Sequence, residues 1–382
     1  MTLRVSGGPL LFFASVLCMV GVLLPQRSHA EFSGNAIKVG IILTLSGPPA
    51  RAGTREKDGI EMVAAKLNAA GGINGRPIQL VIQDDAADPN AAVNAFNSLS
   101  NQDDVVVIIG STIGSSTMAF APLAKRATMP ILAPNSTYDI THLGNDFLFR
   151  VGIPANIEVE AAADFLKKGG YKRIGLLYSN DSYGKQGADL LRAIKDLNFV
   201  SSEQVSTTAT DYTPQITKIR SASPDVLVIW GGSPYPGIGI KSASQLGLEI
   251  PVVSPSAASS QATIQAAAGA RLLSKWYVEG VFDQAKPENR QREGIEAFRS
   301  KFNADPDYFV ATGWDAMTIL GKALQLAGND ITRANVKIGL EKVNDYEGFG
   351  GIYSYSKTER DGTDARSLIW QSVVDGRFVR VD

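Results

Sequence analysis

Ile37-Lys38-Val39-Gly40-Ile41-Ile42-Leu43 is a short apolar run rich in β-branched residues, and it reads as a strand buried on both faces. From Thr54 to Ala70 the period changes. Ile60, Val63, Ala64 and Leu67 recur at i, i+3, i+4 and i+7, which is one face of a helix. Gly71-Gly72 supplies the stop, and Pro77 to Gln83 reads as the next strand. Asp88-Pro89 opens a further helix, with Asp as N-cap and Pro at the first helical position. Val105 to Ile109 is again a buried strand, and Met129 to Leu132 closes this half. Strands and helices alternating at this spacing mean βαβ units and a parallel sheet.

A second series follows Arg150. Its expected strands are Arg173–Tyr178, Asp225–Trp230 and Pro251–Ser254, with helices near Tyr183–Leu197, Thr213–Ala222 and Ile238–Leu246. Two strongly helical stretches come next, Asn289–Asn303 and Phe309–Ala327. The chain ends in β-like segments at Gly351–Tyr355 and Ser367–Val374. No low-complexity linker or fixed-period repeat separates the series.

The opening residues differ from the rest. Arg4 precedes an apolar stretch from Pro9 to Leu24, and Ser28-His29-Ala30 offers small residues where a signal peptidase reads, so residues 1–30 are expected to be a signal peptide cut before Glu31. The apolar run is shorter than the roughly 20 residues a membrane span needs, and it holds a glycine and a proline. Leu17 stands before Cys18 where a lipoprotein needs a small residue. Cleavage of 30 residues from 382 leaves 352, enough for two domains at about 150 each. It takes out Arg4 and Arg27 and no acid, so a net charge of −1 becomes −3.

Cleavage also removes Cys18 and His29, leaving His142 as the one histidine. A chain with no cysteine and one histidine builds no Cys-His nucleophile, no Cys-bearing zinc site and no multi-His metal site. No basic run suits nucleic acid. Dinucleotide and P-loop glycine signatures are missing. Gly110-Ser111-Thr112-Ile113-Gly114 has the outline of a nucleophile elbow, with threonine in the nucleophile's place and only His142 to act as base. Asp84, Asp85 and Asp88 read as a turn and a helix cap in preference to a metal site. No catalytic residue, metal or cofactor is expected.

Several turns together resemble one family. Ile37-Lys38-Val39-Gly40 leading to Leu45-Ser46-Gly47-Pro48, the run Ala69-Ala70-Gly71-Gly72-Ile73-Asn74-Gly75-Arg76-Pro77-Ile78, and Asp84-Asp85 with Asp88-Pro89 are similar to the start of leucine/isoleucine/valine-binding proteins. Ile108-Ile109-Gly110, Ala133-Pro134-Asn135-Ser136-Thr137, Phe149-Arg150, Asp181-Ser182-Tyr183-Gly184 and Trp230-Gly231-Gly232 continue the match in order. The resemblance implies the type I periplasmic binding protein fold: two Rossmann-like α/β lobes with parallel sheets, joined by a three-strand hinge. The crossings would lie near Arg150–Pro154, Tyr277–Asp283 and Gly350–Tyr355. Lobe one would combine 31–151 with 282–351, and lobe two 152–281 with 352–382.

Ligands of open α/β sheets gather beyond the carboxyl ends of the strands. Two loops there are rich in small hydroxyl residues: Gly110 to Thr117, and Pro134 to Thr137. Free N–H groups at a helix start suit a carboxylate, although Ser115 or Ser116 serves equally well as a cap of its own helix. By resemblance the two loops hold an amino-acid carboxylate, with Thr137 as the hydroxyl contact and Asn135 offering a backbone N–H. Gly114 falls where many relatives have serine, so that contact passes to Ser115 or is lost. Tyr183 matches an aromatic that closes over the ligand from the facing lobe, and Tyr235 stands close to the tyrosine that Ser233 replaces. Phe309 matches an apolar contact, with core packing as its plain alternative. Arg51 offers a cation near the cleft or is simply exposed. Ser256 occupies the place where amino-acid binders carry a glutamate for the ammonium. A buried ammonium without a partner is costly, so the expected ligand is a carboxylate without an α-amino group, aromatic carboxylates included. A branched-chain amino acid, an amide or a urea-like compound ranks behind it.

By that resemblance the chain is an extracytoplasmic (periplasmic) solute-binding protein of an ABC importer, expected as a monomer. It closes by hinge motion on a small organic solute and delivers it to a membrane permease. An exported sensor docking on a membrane receptor is the alternative output, and a hydrolase the remote one.

Overall fold

The computed structural model describes residues 1–4, 35–101 and 105–381. Past its first four residues, the expected leader lies outside them.

Five strands, β1 (Ile37–Leu43), β2 (Ile78–Asp84), β3 (Val107–Gly110), β4 (Ile131–Ala133) and β5 (Leu148–Arg150), form one sheet in the order β2-β1-β3-β4-β5. Every pairing is parallel, with Val39 opposite both Leu80 and Val107 in the centre. Helices α1 (Ala50–Ala69), α2 (Pro89–Asn101), α3 (Gly114–Arg126) and the short α4 (Asp139–His142) connect the strands. β1 and β3 are almost fully buried because helices cover both faces, as their unbroken apolar runs require. The first helix begins at Ala50, four residues before Thr54, which moves Arg51 from a loop into the helix's first turn.

The second unit alternates α5 (Ala155–Lys168), β6 (Ile174–Ser179), α6 (Ser182–Ala193), β7 (Phe199–Val205), α7 (Thr213–Ser221), β8 (Val226–Trp230), α8 (Tyr235–Gln245), β9 (Val252–Ser254), α9 (Gln261–Ala266) and β10 (Trp276–Gly280). The chain then runs through α10 (Asn289–Phe302), α11 (Tyr308–Ala327), α12 (Arg333–Leu340) and the two-residue strands β11 (Tyr346–Glu347) and β12 (Ile352–Tyr353). It ends in β13 (Ile369–Val374) and β14 (Arg377–Arg380), which join the second sheet: β14-β13-β10-β9-β8-β6-β7. β6 to β10 are parallel to one another, and β13 and β14 add an antiparallel edge.

The chain therefore passes between the two units three times: after β5, after β10 and before β13. Helices α11 and α12 pack on the first sheet, where Met317, Leu320, Leu324 and Leu340 share a core with Ile41, Ile60 and Val107. α1 and α11 approach backbone to backbone. A Cβ on Gly59 would strike the Val310 carbonyl, and one on Gly313 the carbonyl of Glu56. Another apolar cluster bridges the units, with Tyr183, Trp230 and Val253 of the second packed against Ala52, Tyr308 and Phe309 of the first.

Several strands went unassigned in the sequence, β5, β7, β11 and β14 among them. β7 is a half-exposed edge whose residues, Phe199-Val200-Ser201-Ser202-Glu203-Gln204-Val205, lack an apolar run. β5 is only three residues long, too short for periodicity to show, and so Met129 to Leu132 is not the end of the first sheet.

Candidate functional site

β3 ends at Gly110 and β4 at Ala133, so the loops that follow leave the carboxyl edge of the first sheet side by side. Arg150, at the end of β5, holds the second of these loops. Its guanidinium is fully buried and donates to the carbonyls of Asn135 (3.3 Å), Thr137 (2.6 Å) and Tyr138 (3.0 Å), to the Thr141 hydroxyl (2.7 Å), and to Asp361 (3.0 Å). Asn135 ties the two loops together, donating from Nδ2 to the Ser111 carbonyl (2.8 Å) and to Thr117 Oγ1 (3.1 Å). Its Oδ1 accepts from the Thr137 amide (3.3 Å).

These loops form one wall of a cavity between the units, with Thr112, Ile113, Gly114, Pro134 and Asn135 to Thr137. Tyr308 and Phe309 at the start of α11, and Pro49 and Ala52 at the start of α1, complete that side. The facing wall comes from Asp181 to Tyr183 at the start of α6, Gly232, Ser233 and Tyr235 around the start of α8, and Ala257. The cavity between the walls is small, about 50 Å³. At the rim Gln186 of α6 donates to Asp139 of α4 across the gap (2.7 Å).

The first wall suits an anion. α3 begins at Gly114 with Ile113 as N-cap and no side-chain cap, so neither Ser115 nor Ser116 satisfies its first amides. Beside them Thr137 Oγ1 is fully buried and has no hydrogen-bond partner. A Cβ at Gly114 would overlap that hydroxyl, so the glycine and the threonine go together.

Six of the candidate residues meet in the walls: Gly114, Asn135, Thr137, Tyr183, Tyr235 and Phe309. Phe309 also packs edge-on against Tyr308, so lining and packing coincide. Three do not reach the cavity. Ser115 is half-buried on α3, and Arg51 points to solvent. Ser256 is completely buried behind Ala257, giving both its amide (3.3 Å) and its hydroxyl to Glu158 Oε1.

Glu158 was missed in the sequence, although a signal existed: it sits on the apolar face of α5 with Ala155, Val159, Ala162 and Leu166. Its Oε2 accepts from the Tyr183 hydroxyl at 2.7 Å. Burial pushes its pKa up to about 7, against the opposing bonds from Ser256 and Tyr183 and the charge of Arg150. Asp181 was missed as well. It caps α6 through the Gly184 amide (2.7 Å), and burial raises its pKa.

Other candidates are accounted for locally. Asp85 accepts from Thr44 (2.6 Å) and Ser111, and Asp88 caps α2. Thr112 donates to Glu56 (2.6 Å), whereas His142 stacks on Tyr138 with ring centres 4.0 Å apart, so the two groups of a hydrolase have other partners. Among the described residues no group of three or more His, Cys, Asp or Glu is placed to hold a metal ion, and no helix is long and apolar enough to cross a membrane.

Comparisons with known proteins point one way. The family model described as periplasmic binding protein matches residues 36–376. A leucine-, isoleucine-, valine-, threonine- and alanine-binding protein of Pseudomonas aeruginosa is 26% identical over 347 residues, covering 86% of this chain and 92% of that one. Among solved structures, a type 1 periplasmic binding protein of Bordetella pertussis Tohama I aligns with a TM-score of 0.83 at 22% identity, covering 91% of this chain and all of the other. A branched-chain amino acid transporter substrate-binding protein of Streptococcus pneumoniae, in complex with isoleucine, aligns with a TM-score of 0.81 at 23% identity over 91% and 100% of the two chains.

Proposed function

The chain belongs to the periplasmic binding protein family, and on that premise we propose that it is an exported solute-binding protein of an ABC importer, a clamp that closes on a small carboxylate. One observation carries the carboxylate: the buried, unpartnered Thr137 hydroxyl stands beside the uncapped amides that open α3. The lobes are taken as 31–151 with 282–351 and 152–281 with 352–382, except that Tyr353, Tyr355 and Asp361 stay on the first lobe by their packing, and hinge closure brings Tyr183 and Tyr235 over a solute held by that lobe.

An α-amino acid with a compact side chain is the favoured solute. In the sequence only Ser256 stood against an ammonium. The Glu158 carboxyl lies against Ser256, and Asp181 is in the wall, so acidic groups stand on the side where an amino group would point. Relatives named for leucine, isoleucine, valine, threonine and alanine agree with this reading. A carboxylate lacking the amino group is the second reading, favoured by the placement of Glu158 behind Tyr183 instead of in the wall itself.

Thermal unfolding against a panel of branched-chain amino acids, aromatic and aliphatic carboxylates, amides and urea tests this, after carried-over solute is stripped by unfolding and refolding. A solute at about 100 times its Kd stabilises by about 2.7 kcal/mol. Stabilisation by leucine or alanine supports the amino-acid reading, and stabilisation by benzoate but not leucine moves the assignment to the second. Silence across the whole panel rejects the carboxylate clamp.

A further inference from the structure

We propose that Glu158 and Glu279 form a buried proton-binding site behind the cleft, and that closing the cleft over solute tightens its hold on protons. The coupling half of this rests on the solute-binding reading above.

Glu158 of α5 and Glu279 of β10 are 0% and 1% exposed. Glu158 accepts from the Ser256 amide and hydroxyl and from Tyr183. Neither oxygen of Glu279 has a hydrogen-bond partner. The titratable and charged groups that face the pair are Arg150 from β5, Tyr183 from α6 and Tyr308 from α11. Arg150 is committed to the Asn135–Thr141 loop and to Asp361, and it forms no ion pair with either glutamate. Two mutually repelling carboxyls, with the Arg150 charge nearby but paired to Asp361, cannot both stay ionised in so dry a place. Their hydrogen bonds decide which one keeps the proton. Charge resides on Glu158, which receives three donors, and the proton resides on Glu279, whose oxygens have no hydrogen bond of normal geometry and on which only the nearby Ser256 amide acts against protonation. Burial raises both pKa values, that of Glu279 well above the carboxylate range, with the neighbouring Glu158 charge adding to the effect.

The link to the cleft runs through three residues. Tyr183 lines the cavity and donates to Glu158, Ser256 adjoins the wall residue Ala257, and Tyr308 comes from the opposite unit. When the units part, α11 withdraws and water gains access to this cluster, so the charged carboxylate is disfavoured less. The closed form then binds protons more tightly than the open form, and by linkage protons favour closure. The sign follows: a carboxyl whose pKa is raised on closure adds affinity at low pH, and that affinity is lost as pH rises through about 7, the value to which Glu158 is pushed.

The test compares the wild-type chain with Glu279→Gln, Glu279→Met and the double variant Glu158→Gln/Glu279→Gln, using L-leucine and benzoate as probes. Glu279→Met leaves no buried amide to satisfy and guards against a folding defect in Glu279→Gln. Titration calorimetry in two buffers of different ionisation heat counts protons taken up on binding. Wild-type affinity should fall about tenfold from about pH 5.5 to about pH 7.5, with net proton uptake. Both Glu279 variants should take up fewer protons, and the double variant none, its affinity ratio between the two pH values falling to about one. Equal uptake in wild type and double variant overturns the proposal. If neither probe binds, the solute reading is what fails, and melting curves of the unliganded chain decide the proton site. A melting temperature that drops with rising pH more steeply in wild type than in the double variant upholds it, and parallel profiles overturn it.

Discussion

Gly114 and Thr137 share one volume: the Thr137 hydroxyl occupies the space that a side chain at position 114 needs. The first amides of α3 and that hydroxyl together make the polar end of the cavity, so the two positions cannot vary independently. Gly114→Ser should destabilise the chain by about 1–3 kcal/mol through overpacking. The double variant Gly114→Ser/Thr137→Ala should recover most of that loss. A double-mutant cycle on chemical unfolding checks it, and strictly additive effects would show that the two residues do not compete for space.

Thr137→Val separates stability from binding. Its hydroxyl has no partner in the protein, so replacing it with a methyl leaves no donor or acceptor stranded, and the unliganded chain should melt as wild type or slightly higher. On the proposed carboxylate reading, the same change removes a hydrogen bond to the solute, worth about 1.5–3 kcal/mol, so affinity should fall by about tenfold or more. Melting and titration calorimetry on one sample give both numbers. Unchanged affinity would remove Thr137 from the site.

Much of this arrangement was legible in the residues. Buried strands such as Ile37–Leu43 and Val107–Gly110 announce themselves by unbroken apolar runs, and α1 by its stripe at Ile60, Val63 and Ala64. The loops after β3 and β4 could be placed because parallel sheets put their ligands at one edge. The acidic side of the cleft was not legible. Ser256 was read alone, whereas Glu158 is 98 residues earlier and reaches it only through the packing of α5 on the second sheet. A contact between residues so far apart in the chain leaves no local pattern, since each residue taken singly looks like a serine in a turn or an acid on a helix. Of the two readings of Arg51 the structure has the exposed one: the helix starts at Ala50, and its first turn carries the side chain outward.

The Gln186–Asp139 hydrogen bond is the polar contact that spans the rim, joining α6 to α4. Under the proposed hinge closure it forms only when the units come together, and so stabilises the closed form over the open one. Gln186→Ala should weaken solute affinity by about two- to tenfold, corresponding to about 0.5–1.5 kcal/mol for one hydrogen bond. The loss should appear chiefly in the dissociation rate, because the bond forms after the solute is enclosed. Stopped-flow fluorescence measures it, and a change confined to the association rate would place the bond outside the closing step.

Arg150 holds the Thr137 loop, and under the proposed function the carboxylate end of the cavity depends on it without being touched by it. Three carbonyls, one hydroxyl and one carboxylate surround its buried guanidinium, and Thr137 is held from behind by the shortest of these bonds, at 2.6 Å. Arg150→Met strands all of those acceptors and should cost about 3–5 kcal/mol of stability. Loss of binding in so damaged a chain would say little about position. Arg150→Lys is the sharper variant, since it keeps the charge but not the planar fork that spans several acceptors at once. The lysine chain should remain folded at low temperature while its affinity for solute falls by about tenfold or more, a displacement of the Thr137 loop costing the carboxylate its hydrogen bond. Circular dichroism establishes the fold and calorimetry the affinity. A folded lysine variant that binds as wild type would confine Arg150 to holding the sheet edge together.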